Sequence, residues 1–319
     1  MMFNRILVPL DRSEIAECVF PHLSAIAKAF DSQVFLLTVL DGRLVRDTTA
    51  SIDPLDWQIQ KAEAESYLQK RAVALQDAGL RVEAYVLEGK AEDTILEFAG
   101  DHQVELILLS SHGQSGLSGW NVSSIVQKII LRAYTSTMIV RAYNRSDQKD
   151  MDLSYARLMV PLDGSPRSEI VLPVATSLAR FHDAEILLVH VVGQPEFPSR
   201  TPLDQADQEL IEHLMERNRT ESSRYLEEVQ GRLPVKTQTR LINNRNIVGS
   251  LHDVAREEEV DLVLLSAHGQ SGESRWPYGS VVISFIAFGS SPLLIVQDMS
   301  KDQMGETEAE AAARQSGRR

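Results

Sequence analysis

The chain has 319 residues, carries a formal net charge of -13, and is 43% hydrophobic and 24% charged. This length fits two domains, since globular domains average about 150 residues. No stretch approaches the roughly 18 uninterrupted apolar residues of a membrane span, and the first residues do not show the basic, apolar and cleavage regions of a secretory signal. An acidic chain without a basic stripe also matches the phosphate backbone of nucleic acids poorly. We therefore expect a cytoplasmic protein that binds neither membranes nor nucleic acids.

The sequence contains two copies of one unit. The segment Arg-Ile-Leu-Val-Pro-Leu-Asp that starts at Arg5 returns as Arg-Leu-Met-Val-Pro-Leu-Asp at Arg157. The segment Ser-Ser-His-Gly-Gln-Ser-Gly that starts at Ser110 returns as Ser-Ala-His-Gly-Gln-Ser-Gly at Ser266. Such self-similarity indicates a repeated architecture. We assign a first copy to residues 1–143, a polar linker to 144–154, a second copy to 155–298 and a flexible polar tail to 299–319.

In each copy, short apolar runs alternate with longer helical patterns, which is the signature of βαβ units and a parallel sheet. Strands are predicted near 5–10, 34–39, 82–87, 105–110 and 136–141, and again near 157–162, 186–191, 235–241, 261–266 and 292–297. Helices of the first copy are predicted from Ser13 onward and over 54–78, 91–102 and 123–134. Pro21 and Pro173 fall inside the first helix of each copy, so we expect either a kink or a helix that restarts at the proline.

Two loops of each copy should meet at the carboxyl ends of the strands, where open parallel sheets bind ligands. The first strand ends in Pro-Leu-Asp, at 9–11 and again at 161–163. That carboxylate can accept a hydrogen bond from a ligand, or it can cap the following helix. The fourth strand leads into a loop of small residues and then a helix near 123 or 279. Small residues let backbone N–H groups approach a ligand, and a helix N-terminus favours an anion, so this loop suits a phosphate.

The spacing of this loop resembles the nucleotide loop of the universal stress protein family, which reads Gly-x-x-Gly, nine residues, then Gly-Ser or Gly-Thr. Here Ser266-x-x-Gly269 is followed by nine residues and Gly279-Ser280. The Val-Pro-Leu-Asp opening and the apolar last strands are also similar to that family. The resemblance implies an α/β fold of two tandem Rossmann-like domains of the adenine-nucleotide alpha hydrolase-like type. Each would be a five-stranded, mainly parallel sheet flanked by helices, with ATP or AMP as ligand and Mg²⁺ possible beside ATP.

The family's binding positions are carried over residue by residue, ten in each copy. In the second copy they are Pro161, Leu162, Asp163, Val191, Leu265, Ser266, Gly269, Gly279, Ser280 and Val281. In the first copy they are Pro9, Leu10, Asp11, Val39, Leu109, Ser110, Gly113, Ser123, Ser124 and Ile125.

Two departures from the family pattern rank the copies. Both copies have serine, Ser110 and Ser266, at the first glycine, and the first copy also has Ser123 at the last one. A β-carbon where the backbone must touch phosphate is a steric cost. We therefore predict the better nucleotide site in the second copy. The segment 88–90 matches the family better than its second-copy counterpart does, and this observation favours the first copy instead.

The histidines that recur in the loop, His112 and His268, have no cysteine and no second histidine at metal-ligand spacing. We interpret them as positioned loop residues and predict neither a catalytic nor a metal site. The leading hypothesis is a stress-response module that binds an adenine nucleotide. The alternatives are a protein-interaction scaffold of the same fold with vestigial sites, and slow ATP hydrolysis, for which the sequence shows no positioned base.

The last strand of each copy should lie at a sheet edge, with unpaired backbone groups that pairing would satisfy. Members of the family commonly dimerise through this strand. We therefore predict that the strands near 136–141 and 292–297 pair antiparallel within one chain, as an intramolecular pseudo-dimer. A further homodimer and unidentified protein partners stay open.

Overall fold

The computed structural model of the chain describes residues 3–41, 54–113, 122–142, 152–193, 204–270 and 278–298. The predicted tail at 299–319 lies outside the described residues, and so does the predicted linker up to residue 151. Within the described ranges, no helix is both long and apolar enough to cross a membrane.

Strands and helices alternate in both copies, as the apolar runs predicted. The first copy contains β1 (Arg5–Pro9), α1 (Val19–Phe30), β2 (Gln33–Leu40), α2 (Pro54–Asp77), β3 (Arg81–Glu88), α3 (Ala91–Asp101), β4 (Leu106–Ser110), α4 (Ser124–Ile130) and β5 (Ser136–Val140). The second contains β6 (Arg157–Pro161), α5 (Leu172–His182), β7 (Glu185–Val192), α6 (Gln205–Arg232), β8 (Thr237–Asn243), α7 (Ile247–Glu257), β9 (Leu262–Ser266), α8 (Ser280–Phe288) and β10 (Leu293–Val296).

All ten strands form one sheet in the order β3-β2-β1-β4-β5-β10-β9-β6-β7-β8. Neighbouring strands within a copy are parallel. The two copies join where β5 and β10 pair antiparallel, with Leu294 opposite Met138. This pairing confirms the predicted contact between the last strands, and it covers the edge that each five-stranded unit would otherwise expose.

Helices cover both faces of the sheet. On one face, an apolar core lies between the strands and α1, α2, α5 and α6. On the other face, a second core lies between the strands and α3, α4, α7 and α8. Strands buried on both faces explain the nearly continuous apolar runs in the sequence.

The first helix of each copy restarts near its proline. In the first copy a 3-10 turn at Ala16–Cys18 precedes α1, and Pro21 is the third residue of the helix. In the second copy Pro173 lies in the first turn of α5. Proline is tolerated there because the first N–H groups of a helix have no partner inside it. The restart alternative is confirmed and the kink is not needed.

Three predicted boundaries were wrong, by two to six residues. The first helix, predicted to open at Ser13, begins at Val19, because the Ser13 hydroxyl accepts the N–H of Ala16 and a 3-10 turn comes first. The fourth helix, predicted to reach residue 134, ends at Ile130, because the N–H groups of Arg132 and Ala133 both donate to the carbonyl oxygen of Ile129 and close the last turn. Strand β8 begins at Thr237 and not at 235, since the Thr237 hydroxyl turns back to the carbonyl oxygen of Val235.

Candidate functional site

Strand β6 delivers Asp163 to the carboxyl edge of the sheet. Its Oδ1 accepts hydrogen bonds from the N–H (2.9 Å) and hydroxyl (2.6 Å) of Ser165, and its Oδ2 accepts one from the N–H of Gln270 (2.6 Å). Burial alone would raise the pKa of Asp163, but these hydrogen bonds outweigh burial and hold that pKa below its usual value. The ionised carboxylate therefore ties the first turn of the second copy to the loop after β9.

The capping alternative for this aspartate is wrong in both copies, because the 3-10 turns and the helices α1 and α5 that follow have no side-chain cap at their N-cap residues. The carboxylate instead holds the serine two residues later. Ser165 Oγ, held by Asp163, accepts the N–H of Ser168 (3.2 Å). In the first copy, Asp11 Oδ1 accepts from the N–H (3.0 Å) and hydroxyl (2.6 Å) of Ser13. Two copies therefore build the same turn, and Asp163 acts on the local backbone whether or not it also contacts a ligand.

Glycine in the loop is required by the aspartate. A β-carbon added at Gly269 would overlap the carboxylate of Asp163, and one added at Gly113 would overlap that of Asp11. The glycine of the Ser-x-His-Gly pattern is therefore explained by its close approach to the aspartate carboxylate within the protein. No ligand is needed to explain this particular glycine.

A crevice of about 840 Å³ opens at the carboxyl ends of the second-copy strands. Pockets for small ligands typically enclose about 300–1,000 Å³. All ten second-copy positions that the sequence singled out line this crevice: Pro161, Leu162, Asp163, Val191, Leu265, Ser266, Gly269, Gly279, Ser280 and Val281.

The loop after the fourth strand returns to that strand before its helix begins. The N–H of Gly279 donates to the carbonyl oxygen of Ala267 (2.8 Å), and the N–H of Ser123 donates to that of Ser111 (2.8 Å). Tyr278, directly before the glycine, is buried. Each helix N-terminus is thereby fixed beside a strand end, although the two lie more than ten residues apart in sequence.

The two copies differ in how these groups are used. In the first copy, Ser123 Oγ accepts the N–H of Val126 and caps α4, and Ser110 Oγ donates to the carbonyl oxygen of His112 (2.7 Å). In the second copy, Gly279 offers α8 no side-chain cap. Ser266 is 7% exposed, and its hydroxyl makes no hydrogen bond to any described residue. The first copy thus makes two side-chain hydrogen bonds that the second copy does not make.

The predicted clash between a side chain at position 279 and a bound phosphate stays a prediction, and the protein itself leaves room for a side chain there. A β-carbon added at Gly279 would meet nothing closer than the carbonyl oxygen of Ala267, at 3.6 Å, which is an ordinary contact. The protein itself would therefore accept a serine there, as it accepts Ser123 in the first copy. The difference that the structure shows between the copies lies in the hydrogen bonds that the side chains make.

The first copy places its ten singled-out positions at the same edge of the sheet. They occupy the end of β1 (Pro9, Leu10, Asp11), the end of β2 (Val39), the end of β4 and its loop (Leu109, Ser110, Gly113) and the start of α4 (Ser123, Ser124, Ile125). Lys90, which favoured this copy in the sequence, forms ion pairs with Glu92 (3.0 Å) and Asp93 (3.1 Å) of α3.

The loop histidines are positioned, as the sequence indicated. His268 Nδ1 pairs with Asp298 Oδ1 at 2.7 Å, and both side chains are 2% exposed. His112 Nδ1 instead lies 3.1 Å from the hydroxyl of Ser111. Sequence reasoning missed Asp298, which lies two residues after β10, where the first copy has Ala142. Among the described residues, no group of three or more His, Cys, Asp or Glu side chains is placed to hold a metal ion.

One wall of the crevice was not anticipated. Helix α6 contributes Asn218, Glu221, Ser222 and Tyr225, and β7 contributes His190. Residues spaced by three, four and seven lie on one face of a helix, so the spacing of the four α6 residues was a usable signal.

Comparison with known proteins places the chain in a family. The model of the universal stress protein family matches residues 2–141 and again 154–297. The universal stress protein MJ0531 of Methanocaldococcus jannaschii is 26% identical over 141 residues, which cover 44% of this chain and 83% of that protein. The universal stress protein Rv2005c of Mycobacterium tuberculosis is 25% identical over 232 residues, which cover 72% of this chain and 73% of that protein.

Solved structures agree with the fold. The crystal structure of a universal stress protein from Archaeoglobus fulgidus is similar with a TM-score of 0.68 at 17% identity, over 94% of this chain and 100% of that one. Because the two family matches cover most of the chain, once in each copy, the chain belongs to the universal stress protein family as a tandem member.

Proposed function

We propose that this chain is a regulatory module of the cytoplasmic stress response whose second copy binds an adenine nucleotide, ATP or AMP. The observation that carries the proposal is the second-copy crevice, in which the hydroxyl of Ser266 makes no hydrogen bond to a described residue while its first-copy counterpart does. Buried hydroxyls in native proteins normally have a partner. Membership of a family that includes nucleotide-binding proteins supports adenine nucleotide as that partner.

The phosphates are proposed to lie at the start of α8. The N-terminus of a helix carries partial positive charge and unpaired N–H groups, which favour an anion. Gly279 has no side chain that could accept a hydrogen bond from these N–H groups. Ser280 and Val281 line the same part of the crevice. The ionised carboxylate of Asp163, just after β6, can accept a hydrogen bond from an amino or hydroxyl group of the nucleotide. Mg²⁺ is proposed only with ATP, as a partner of its phosphates.

Calorimetric titration of AMP, and of ATP with Mg²⁺, into the full chain tests the proposal. We expect one site per chain, and we expect Gly279→Val to abolish most of the binding, because the larger side chain fills the space of the phosphate. Ser266→Ala should weaken binding about fivefold, the typical effect of one lost hydrogen bond. Asp163→Ala is a poorer test, since it also removes the hydrogen bonds that hold Ser165 and Gln270.

Matched changes in the first copy serve as controls. Ser110→Ala and Ser123→Val alter the equivalent positions and should leave the measured affinity within about twofold. If the first-copy changes remove binding and the second-copy changes do not, the assignment to the second copy is wrong. If no adenine nucleotide binds the wild-type chain, and native mass spectrometry of protein purified from cells shows none retained, the scaffold alternative replaces the proposal.

A further inference from the structure

A polar cluster lies under α6, at the end of the crevice away from the phosphate loop. Nε2 of His190 lies 3.2 Å from the hydroxyl of Ser222, and the ring of Tyr225 packs edge-on against that of His190. All three residues line the crevice. Strand β6 separates β7, which carries His190, from β9, which carries the phosphate loop. The cluster and the loop therefore lie on opposite sides of β6.

Two polar atoms of this cluster, the hydroxyl of Tyr225 and Nδ1 of His190, make no hydrogen bond of good geometry to a described residue. Ser168 and Glu169 lie near the tyrosine hydroxyl, and the Leu162 backbone lies near the imidazole. The nearest carboxylate to the tyrosine, that of Glu169, is paired with Arg232 (2.8 Å). An unsatisfied buried hydroxyl costs free energy, so its presence calls for an explanation, and a bound ligand is one.

The first copy shows the same place without the cluster. Tyr67, the counterpart of Tyr225, donates its hydroxyl to Glu17 at 3.0 Å. Three residues before it, the fully buried Ala64 stands where the second copy has Ser222. Thr38, in the place of His190, donates to the carbonyl oxygen of Leu10 at 3.0 Å. The first copy thus satisfies its groups internally. In the second copy Ser222 and His190 pair with each other, while the tyrosine hydroxyl and the imidazole Nδ1 make no hydrogen bond of good geometry.

We propose that His190, Ser222 and Tyr225 form a base-recognition subsite that hydrogen-bonds the polar edge of the nucleobase. The inference rests on the proposed function, because a nucleotide with its phosphates at α8 and Asp163 beside it extends its base across β6 toward α6. These three side chains are outside the positions that the family pattern supplied.

The charge state of the cluster suits a neutral group. Burial lowers the pKa of His190, with the Leu162 carbonyl and the Asp163 carboxylate opposing it in part, so the imidazole is neutral near pH 7. Burial, together with the nearby Glu169, raises the pKa of Tyr225. Neutral imidazole and hydroxyl groups both donate and accept, which matches the ring nitrogens and exocyclic group of a base better than a phosphate.

The test compares AMP with ribose 5-phosphate, which lacks the base. Both are measured on the full chain by calorimetry, the weaker one by competition with AMP. We expect Tyr225→Phe and Ser222→Ala each to weaken AMP binding about fivefold and to leave ribose 5-phosphate unchanged. The matched control is Tyr67→Phe, which should change neither affinity.

Thermal unfolding separates recognition from a merely structural role. Tyr225→Phe removes a hydroxyl that makes no hydrogen bond of good geometry, so its melting temperature should stay close to that of the wild type. Tyr67→Phe breaks a hydrogen bond and should melt lower. Unchanged AMP affinity in both second-copy variants, or an equal loss for AMP and ribose 5-phosphate, overturns the subsite while the proposed function stands. If the wild type binds ribose 5-phosphate and AMP equally, the base is not recognised and the subsite is again overturned. Failure of AMP to bind the wild type overturns both.

Discussion

The guanidinium of Arg141, in the residue that follows β5 of the first copy, donates a hydrogen bond to the carbonyl oxygen of Phe285 at the end of α8 in the second copy (2.5 Å). It also donates to the carbonyl oxygen of Ile286 (3.2 Å), and Arg141 is 2% exposed. The carbonyl oxygen of Phe285 also accepts the N–H of Gly289 (2.9 Å), so Arg141 adds a second donor there, and a cation at a helix C-terminus complements the helix dipole. The first copy thus holds one end of the helix whose other end is the proposed phosphate site.

Arg141→Gln should lower the free energy of unfolding by about 2 kcal/mol, because it removes hydrogen bonds from a charged donor to buried carbonyl groups. Glutamine is the residue that follows β10 in the second copy, at Gln297, so the change imitates the other half of the pseudo-dimer. Urea unfolding measures the effect. Arg256→Gln is the control, since that side chain is 71% exposed and should change stability by less than about 0.5 kcal/mol. Equal effects of the two changes would show that the buried contact adds nothing.

Gly269→Ala should destabilise the loop by roughly 1–3 kcal/mol, because the new β-carbon displaces the Asp163 carboxylate from its hydrogen bonds. Nucleotide affinity should fall with it, since the displaced loop lines the crevice. Gly231→Ala, in α6, is the matched change in open space and should be neutral or stabilise by up to about 1 kcal/mol. Chemical unfolding and AMP titration of both variants test this, and a stable, fully binding Gly269→Ala protein contradicts it.

Stability should fall on acidification through His22. This residue of α1 is 8% exposed and lies 2.9 Å, through Nδ1, from the hydroxyl of Tyr155 in the second copy. Burial lowers the pKa of His22 from 6.5 to about 4. In the unfolded chain the His22 imidazole therefore binds a proton as the pH falls below 6.5. In the folded chain it binds one only near pH 4. The contribution of neutral His22 to the free energy of unfolding is complete above pH 6.5 and is lost as the pH falls from 6.5 to about 4.

This linkage amounts to about 2 kcal/mol between pH 7.5 and pH 5 for a single proton. Urea unfolding at the two pH values measures it. In His22→Gln the pH dependence over this window should shrink by that amount, whereas replacing the exposed His213 should leave it unchanged. If the free energy of unfolding of His22→Gln depends on pH as strongly as that of the wild type, other groups cause the acid sensitivity.

The sequence predicted the elements because strands buried on both faces must be apolar, and because the duplication fixes the same order twice. The positions carried over from the family line one crevice in the second copy, since loops after parallel strands meet at one edge. What the sequence did not predict are side-chain contacts between segments far apart. Asp298 lies 30 residues from His268, and Arg141 lies 144 residues from Phe285. No local pattern encodes such pairs, because they follow from how helices pack on the sheet.

The ranking of the copies illustrates this limit. Glycine against serine at 279 and 123 predicts the better site on steric grounds, and the structure adds a difference in hydrogen bonding that the sequence did not predict, since Ser123 caps its helix and Gly279 offers its helix no side-chain cap. Whether a serine hydroxyl is engaged depends on neighbours brought in by folding. Ser110 and Ser266 lie in nearly the same sequence context, with Ser111 or Ala267 after them, yet only the Ser110 hydroxyl makes a hydrogen bond to a described residue.

The charges of the crevice predict which adenine nucleotide binds better. Its described lining holds two carboxylates, Asp163 and Glu221, and no lysine or arginine. A ligand with more negative charge is repelled more strongly there, at a total cost of about 1 kcal/mol once solvent and salt screen these partly exposed carboxylates. We therefore expect metal-free ATP to bind roughly fivefold more weakly than AMP, and Mg²⁺ to remove most of the difference by neutralising phosphate charge.

Calorimetry with AMP, with ATP, and with ATP and Mg²⁺ measures these affinities. Raising the salt concentration should reduce the difference in affinity between ATP and AMP, because salt screens partly exposed charges. Metal-free ATP that binds more tightly than AMP at low salt would mean that the ligand meets cationic groups outside the described lining.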